Sequence, residues 1–102
     1  MSKICCQKII LHDRNRKSLV LHIPDDSVFM TVTQSIYAKY EDGDLWFIVG
    51  KSKTYKHRTL KIFINDEDLG EDIENLKYVG SYQCMNTSYT QLLNVHVFEV
   101  IQ

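Results

Sequence analysis

Apolar and polar residues alternate with a period of two along much of this chain, the pattern of strands that rest one face on a core. Leu19, Leu21 and Ile23 alternate with Val20 and His22, Leu60, Ile62 and Ile64 repeat in the segment 58–64, and Val95 and Val97 oppose His96, Phe98 and Val100. Residues 3–11 (KICCQKIIL), rich in β-branched and sulfur side chains, predict a first strand. Pro24 ends the second, because it cannot donate to a ladder, and Asp25, Asp26 and Ser27 supply turn chemistry. The Val, Thr, Phe and Tyr content of Val28 to Tyr40 favours one long strand, with a helical turn over Ser35 to Tyr40 as the alternative.

Asp42-Gly43 reads as a tight hairpin turn, since glycine supplies positive φ. The run Leu45 to Val49 (LWFIV) is apolar at every position and predicts a central strand covered on both faces, with Trp46 in the core. Leu69, Ile73 and Leu76, spaced by four and three, predict one or two helical turns in the acidic segment 66–76. Tyr78 to Met85 reads as a strand in which Gly80 marks a bulge or a close backbone approach, and Leu92 to Ile101 as the last strand. The fold class is therefore all-β, with room for one short helix: a small antiparallel β-sandwich or half-open barrel of about seven strands, in one β-rich domain over residues 1–102.

Composition changes this picture little. The 102 residues are 44% hydrophobic and 25% charged, with four glycines and one proline, so neither disorder nor a linker is indicated. A net charge of −1 argues against general nucleic-acid binding. No apolar run approaches the ~20 residues of a membrane helix, and the start MSKICCQKII is too polar for a signal peptide. Cys5, Cys6 and Cys84 are odd in number, and adjacent strand residues point to opposite faces, so no disulfide framework follows. A soluble protein of a reducing cytoplasm is the expectation.

Chemistry is sparse. Ser81 follows Gly80, but the second glycine of a nucleophile elbow is missing. His12, His22, His57 and His96 and the cysteines lack zinc-ligand spacing. The reading is of a non-enzyme without metal or cofactor. What remains is recognition, centred on Lys51 to Lys61 (KSKTYKHRTLK), read as a cationic loop feeding a strand opened by Arg58. Lys51, Lys53, Lys56 and Arg58 are candidates to hold phosphate oxygens, with Tyr55 and Tyr89 to stack on a base. The following block, with Asp66, Glu67 and Asp68 at its head and Glu74 at its end, either neutralises those cations or is itself a partner-binding surface.

Several phrases recur in order and spacing: Ile23-Pro24 before a turn and an apolar strand through Val28 to Val32, Leu45-Trp46 running to Val49, Arg58 opening a strand, Tyr78-Val79-Gly80 with Gln83, and His96-Val97-Phe98-Glu99. In these the chain resembles a family of short proteins of unknown function encoded by bacteriophages and prophages. The resemblance implies a compact β-rich fold and phage origin, and it brings no catalytic residues. The family's Gly-Thr-Gly-His segment is replaced here near Ile64, Asn65, Asp66 and Glu67.

The resemblance leads to one functional expectation: an anti-defence protein in the cytoplasm of an infected bacterium, a homo-oligomeric sponge for a cyclic or ADP-ribose-derived nucleotide immune signal. The alternatives are an inhibitor that binds a host defence or metabolic enzyme through the acidic segment 66–74, and an accessory phage protein without a ligand.

Overall fold

A computed structural model describes residues 3–10, 18–35, 42–65, 68, 73–85 and 91–101. Seven strands run in chain order: β1 Lys3–Ile9, β2 Ser18–Pro24, β3 Val28–Gln34, β4 Gly43–Val49, β5 Tyr55–Ile64, β6 Leu76–Met85 and β7 Leu92–Val100, with a short 3-10 turn at Ile73–Asn75 before β6. They form two antiparallel sheets, β1-β4-β3 and β2-β5-β7-β6, and no closed barrel. The fold is all-β and compatible with a small β-sandwich. No helix among the described residues is long and apolar enough to cross a membrane.

The period-two pattern sets the layers. Leu45, Phe47, Val32 and Ile9 of the first sheet pack against Leu60, Ile62, Ile64, Val95 and Val97 of the second. Leu45, Leu60, Val95 and Val97 are fully buried, each such side chain contributing roughly 1.5–3 kcal/mol through the water it leaves. At one corner β6 comes close to β3. A Cβ on Gly80 would sit 3.0 Å from the Val32 nitrogen, and the β6–β7 register slips between Tyr78 and Gly80, so this glycine marks both a bulge and a close approach.

Four expectations change in detail. Asp42-Gly43 is not the hairpin turn: Gly43 already belongs to β4, paired with Ile9 and Gln34, and the Ser35 N–H donates to the Asp42 carbonyl at 3.1 Å. Glycine is needed there for space, because a Cβ would lie 2.5 Å from the Tyr82 ring. The long strand from Val28 ends at Gln34, and residues 36–41, where its continuation was expected, lie outside the described residues. β4 is central to its sheet, but only one face meets the core. Trp46 therefore leaves the core: half-buried on the outer face, it donates its indole N–H to Thr33 Oγ1 at 2.9 Å.

The fourth change bears on the site. β5 begins at Tyr55, not Arg58, because Tyr55–Lys61 pairs residue for residue with Ser18–Pro24. Seven of the eleven residues of the basic stretch, Tyr55 to Lys61, are thus strand, and their side chains are sorted between two faces. Of the helical turns expected in the acidic segment, the described residues contain Ile73–Asn75 only.

Candidate functional site: a cationic cleft between β5 and β7

The remaining loop, Gly50 to Thr54, is folded around a carboxylate. Asp26, in the β2–β3 turn, accepts from the Lys51 N–H at 3.1 Å and the Ser52 N–H at 3.0 Å, while Ser27 Oγ accepts from the Gly50 N–H at 2.9 Å. The Asp25 N–H closes the arrangement by donating to the Thr54 carbonyl at 2.9 Å. Glycine at position 50 permits the approach, since a Cβ would lie 1.9 Å from Asp26 Oδ1. Donation from the Ser52 N–H, then from that of Lys51, holds the pKa of Asp26 below the ordinary carboxylate value. Successive backbone N–H groups are what an anion-binding nest offers a phosphate. In this loop they already hold an anion, and Lys51 and Lys53 stand exposed around it.

Beyond the loop, alternation divides the stretch. Lys56 and Arg58 share the parity of Leu60 and Ile62 and lie on the inward side of β5; Tyr55, His57 and Thr59 face outward. Outward, His22 and His57 sit directly across the β2–β5 pair with rings stacked 4.4 Å apart, and Tyr55 meets His22 edge-on at 5.4 Å. Inward, Arg58 reaches across both sheets. Its Nε and Nη2 donate to the two carboxylate oxygens of Glu99 at 2.7 and 2.8 Å, its Nη1 donates to the Ser27 carbonyl, and its guanidinium carbon lies 4.4 Å from the centre of the Phe29 ring. Both charged side chains are largely buried, at 12% and 13% exposure.

The pair stands at a fork in the sheet. β5 is bonded to β7 only from Leu60↔Glu99 to Ile64↔Val95, whereas β7 continues beside β6 through Lys77↔Glu99 and Leu76↔Val100. Past Leu60 the two strands part and leave a cleft of about 250 Å³, lined by Lys56, His57, Arg58, Thr59, Lys77 and Glu99 and closed by Val100 and Ile101. The Ile101 N–H, bonded to the Asn75 carbonyl at 2.8 Å, ties down the β7 side. With Arg58 and Glu99 cancelling, Lys56 and Lys77 leave the cleft cationic.

The candidates named from the sequence therefore separate. Lys56 and Arg58 come together in the cleft, Tyr55 lies on the outer face, and Lys51 and Lys53 stay on the Asp26 loop. Tyr89, Asp66 and Glu67 lie outside the described residues, and Asp68 is exposed. Lys77 and Glu99 went unrecognised as site residues. For Glu99 a signal existed, since Arg58 shares the parity of three core positions and a buried cation requires a partner. For Lys77 there was none, because only the β6–β7 register brings it to the fork. Among the described residues no three His, Cys, Asp or Glu side chains gather as metal ligands. Comparisons with protein-family models, with curated proteins and with solved structures returned no match.

Proposed function

We propose that the protein is a binding protein for a small phosphate-bearing ligand of the nucleotide class, held at the β5–β7 fork and released unchanged. The observation that carries this reading is the cleft itself, in which Lys56 and Lys77 flank a neutral Arg58–Glu99 pair beside the His57 ring. Ammonium groups complement phosphate oxygens, and an imidazole edge with the Thr59 hydroxyl suits the rest of a nucleotide. Given the resemblance to phage proteins, the nucleotide signals of bacterial immunity are the first ligands to test, with the protein acting as a self-associating sponge. The cross-strand row of exposed Ile4, half-buried Ile48 and exposed Val28, on the outer face of the three-stranded sheet, supports the self-associating part.

Isothermal titration calorimetry with ADP, ADP-ribose and cyclic dinucleotides, and with inorganic pyrophosphate as the base-free control, tests the reading. Binding by at least one nucleotide is expected, and its loss in Lys56→Ala/Lys77→Ala at an unchanged urea midpoint. An equal loss in Lys51→Ala/Lys53→Ala alone would move the ligand to the loop. Silence from every ligand would remove the proposal.

A further inference from the structure

The solvent face of the four-stranded sheet departs from what an exposed sheet face usually shows, namely polar and charged residues opposite a core. By register, β2 contributes Val20 and His22 to this face, β5 contributes Tyr55, His57, Lys61 and Phe63, β7 contributes His96 and Phe98, and β6 contributes Tyr78. Phe63 is buried within this layer, and the others lie outside the hydrophobic core on the other side of the sheet.

Two ring groups result. Tyr78 meets Phe98 edge-on at 5.5 Å, and Phe98 meets Phe63 at 5.8 Å; at the far end stand the stacked His22–His57 pair and Tyr55. Tyr55 and Tyr78 are each 56% exposed. Tyr78 donates its hydroxyl to Ser81 Oγ at 2.9 Å, and further along the β6–β7 pair, away from the histidines, Gln83 Nε2 donates to Asn94 Oδ1 at 2.8 Å.

Charge identifies the occupant. Among the described residues, no Asp or Glu stands at an outward position of β2, β5, β7 or β6, whereas Lys61 and three histidines do. The face also runs into the fork, since His57 and Thr59 belong to both. Rings without carboxylates, beside a cationic cleft, match a chain of planar bases linked by phosphates, whose bases stack on aromatic side chains with little regard to sequence.

We infer that this face is a stacking platform for a short single-stranded nucleic acid, with bases on Tyr78–Phe98 and on Tyr55–His22–His57. The two groups are separated by four residues along β5, about 13 Å, and by two strand spacings, roughly 10 Å. A segment of a few nucleotides spans them, within the range of about 4–16 nucleotides that single β-folds cover. The overall charge of −1 limits phosphate contacts to a few, so affinity rests on stacking and falls only gently with salt. This inference does not require a mononucleotide at the fork, and each can fail without the other.

The test is fluorescence anisotropy with labelled octamers of deoxythymidine and of uridine, at 50 and 200 mM salt, on wild type, Tyr78→Ala, Tyr55→Ala and Lys56→Ala/Lys77→Ala. Binding is expected in the wild type, weakened about 10-fold by each tyrosine replacement, and retained in Tyr78→Phe, which keeps the ring. The aromatic replacements are at half-exposed positions, and circular dichroism checks that the sheet persists. No binding of either octamer at 50 mM salt would overturn the inference. So would binding that both tyrosine variants keep intact, since that would assign it to charge alone. Loss only in the Lys56→Ala/Lys77→Ala variant would likewise overturn it, leaving the fork as the whole site.

Discussion

Removing the Glu99 carboxylate decides whether Arg58 holds the protein together or waits for a ligand. In Glu99→Ala the guanidinium loses two charge-assisted hydrogen bonds, of 2.7 and 2.8 Å, and keeps only the Ser27 carbonyl and the Phe29 ring. Breaking one partner of a buried ion pair costs about 3–5 kcal/mol. The cleft admits water to the rim of this pair, which brings the cost to the bottom of that range or just below it, roughly 2–3 kcal/mol. For a domain of this size the unfolding midpoint should fall by roughly 10–20 °C. Arg58→Met should cost a similar amount, because Glu99 is then the orphan. The double variant Arg58→Met/Glu99→Ala should cost no more than either single one, since with both charges gone neither is left unpaired. Urea unfolding followed by tryptophan fluorescence gives the four stabilities at constant slope. A coupling energy near 2 kcal/mol is expected from the cycle. Single variants within ~0.5 kcal/mol of wild type, with an additive double, would show that the pair is not a structural clamp.

Three further outcomes follow from the geometry. Asp26 has a lowered folded-state pKa because the Ser52 and Lys51 N–H groups favour its charged form. Its contribution is therefore complete above the unfolded value of about 3.9 and lost as pH falls through the folded one; thermal midpoints of wild type and Asp26→Asn should converge as the pH falls below the unfolded value. Gly43→Ala should lower the unfolding free energy measured in urea by roughly 2 kcal/mol, because the new methyl meets the buried Tyr82 ring at 2.5 Å; an unchanged midpoint would mean that the ring moves freely. Desolvation, then the Asp44 charge, raises the pKa of the Cys6 thiol, so in a Cys5→Ser background iodoacetamide at pH 8 should modify Cys6 more slowly than a cysteine peptide, and Asp44→Asn should quicken it.

Which parts of this were legible in the sequence depends on how far each signal reaches. Parity is local, and it placed Leu19, Leu21, Ile23, Val95 and Val97 on the sides they occupy. It also carried a message about Arg58, which falls in step with Leu60 and Ile62 and therefore had to find a buried partner. The all-apolar run LWFIV was less informative. Apolar residues on both faces of β4 are compatible with two covered faces or with one covered face and one apolar outer face, and Trp46 found a hydrogen bond to Thr33 on the latter. Asp42-Gly43 carried turn chemistry, but the same glycine was needed where Tyr82 crosses β4, and the space requirement explains the residue. Lys77 could not be found by any local rule, because its place at the fork depends on a strand register set by Val95, Val97 and the bulge before Gly80.

The basic stretch shows why counting charges along a chain misplaces a site. Its five cations look continuous from Lys51 to Lys61, but the backbone treats them as two populations. The first, on Gly50 to Thr54, surrounds amides that Asp26 has already taken, so an incoming phosphate there would have to compete with an internal carboxylate held by two N–H groups. The second, on β5, is divided by the pleat, which sends Lys56 and Arg58 inward and the rings of Tyr55 and His57 outward. Because β5 outruns its pairing with β7, the inward cations come to line a gap in the sheet while the outward rings border it. The division of one basic run by strand alternation thus sets cations and rings on either side of the same edge, and the proposed nucleotide site rests on that arrangement.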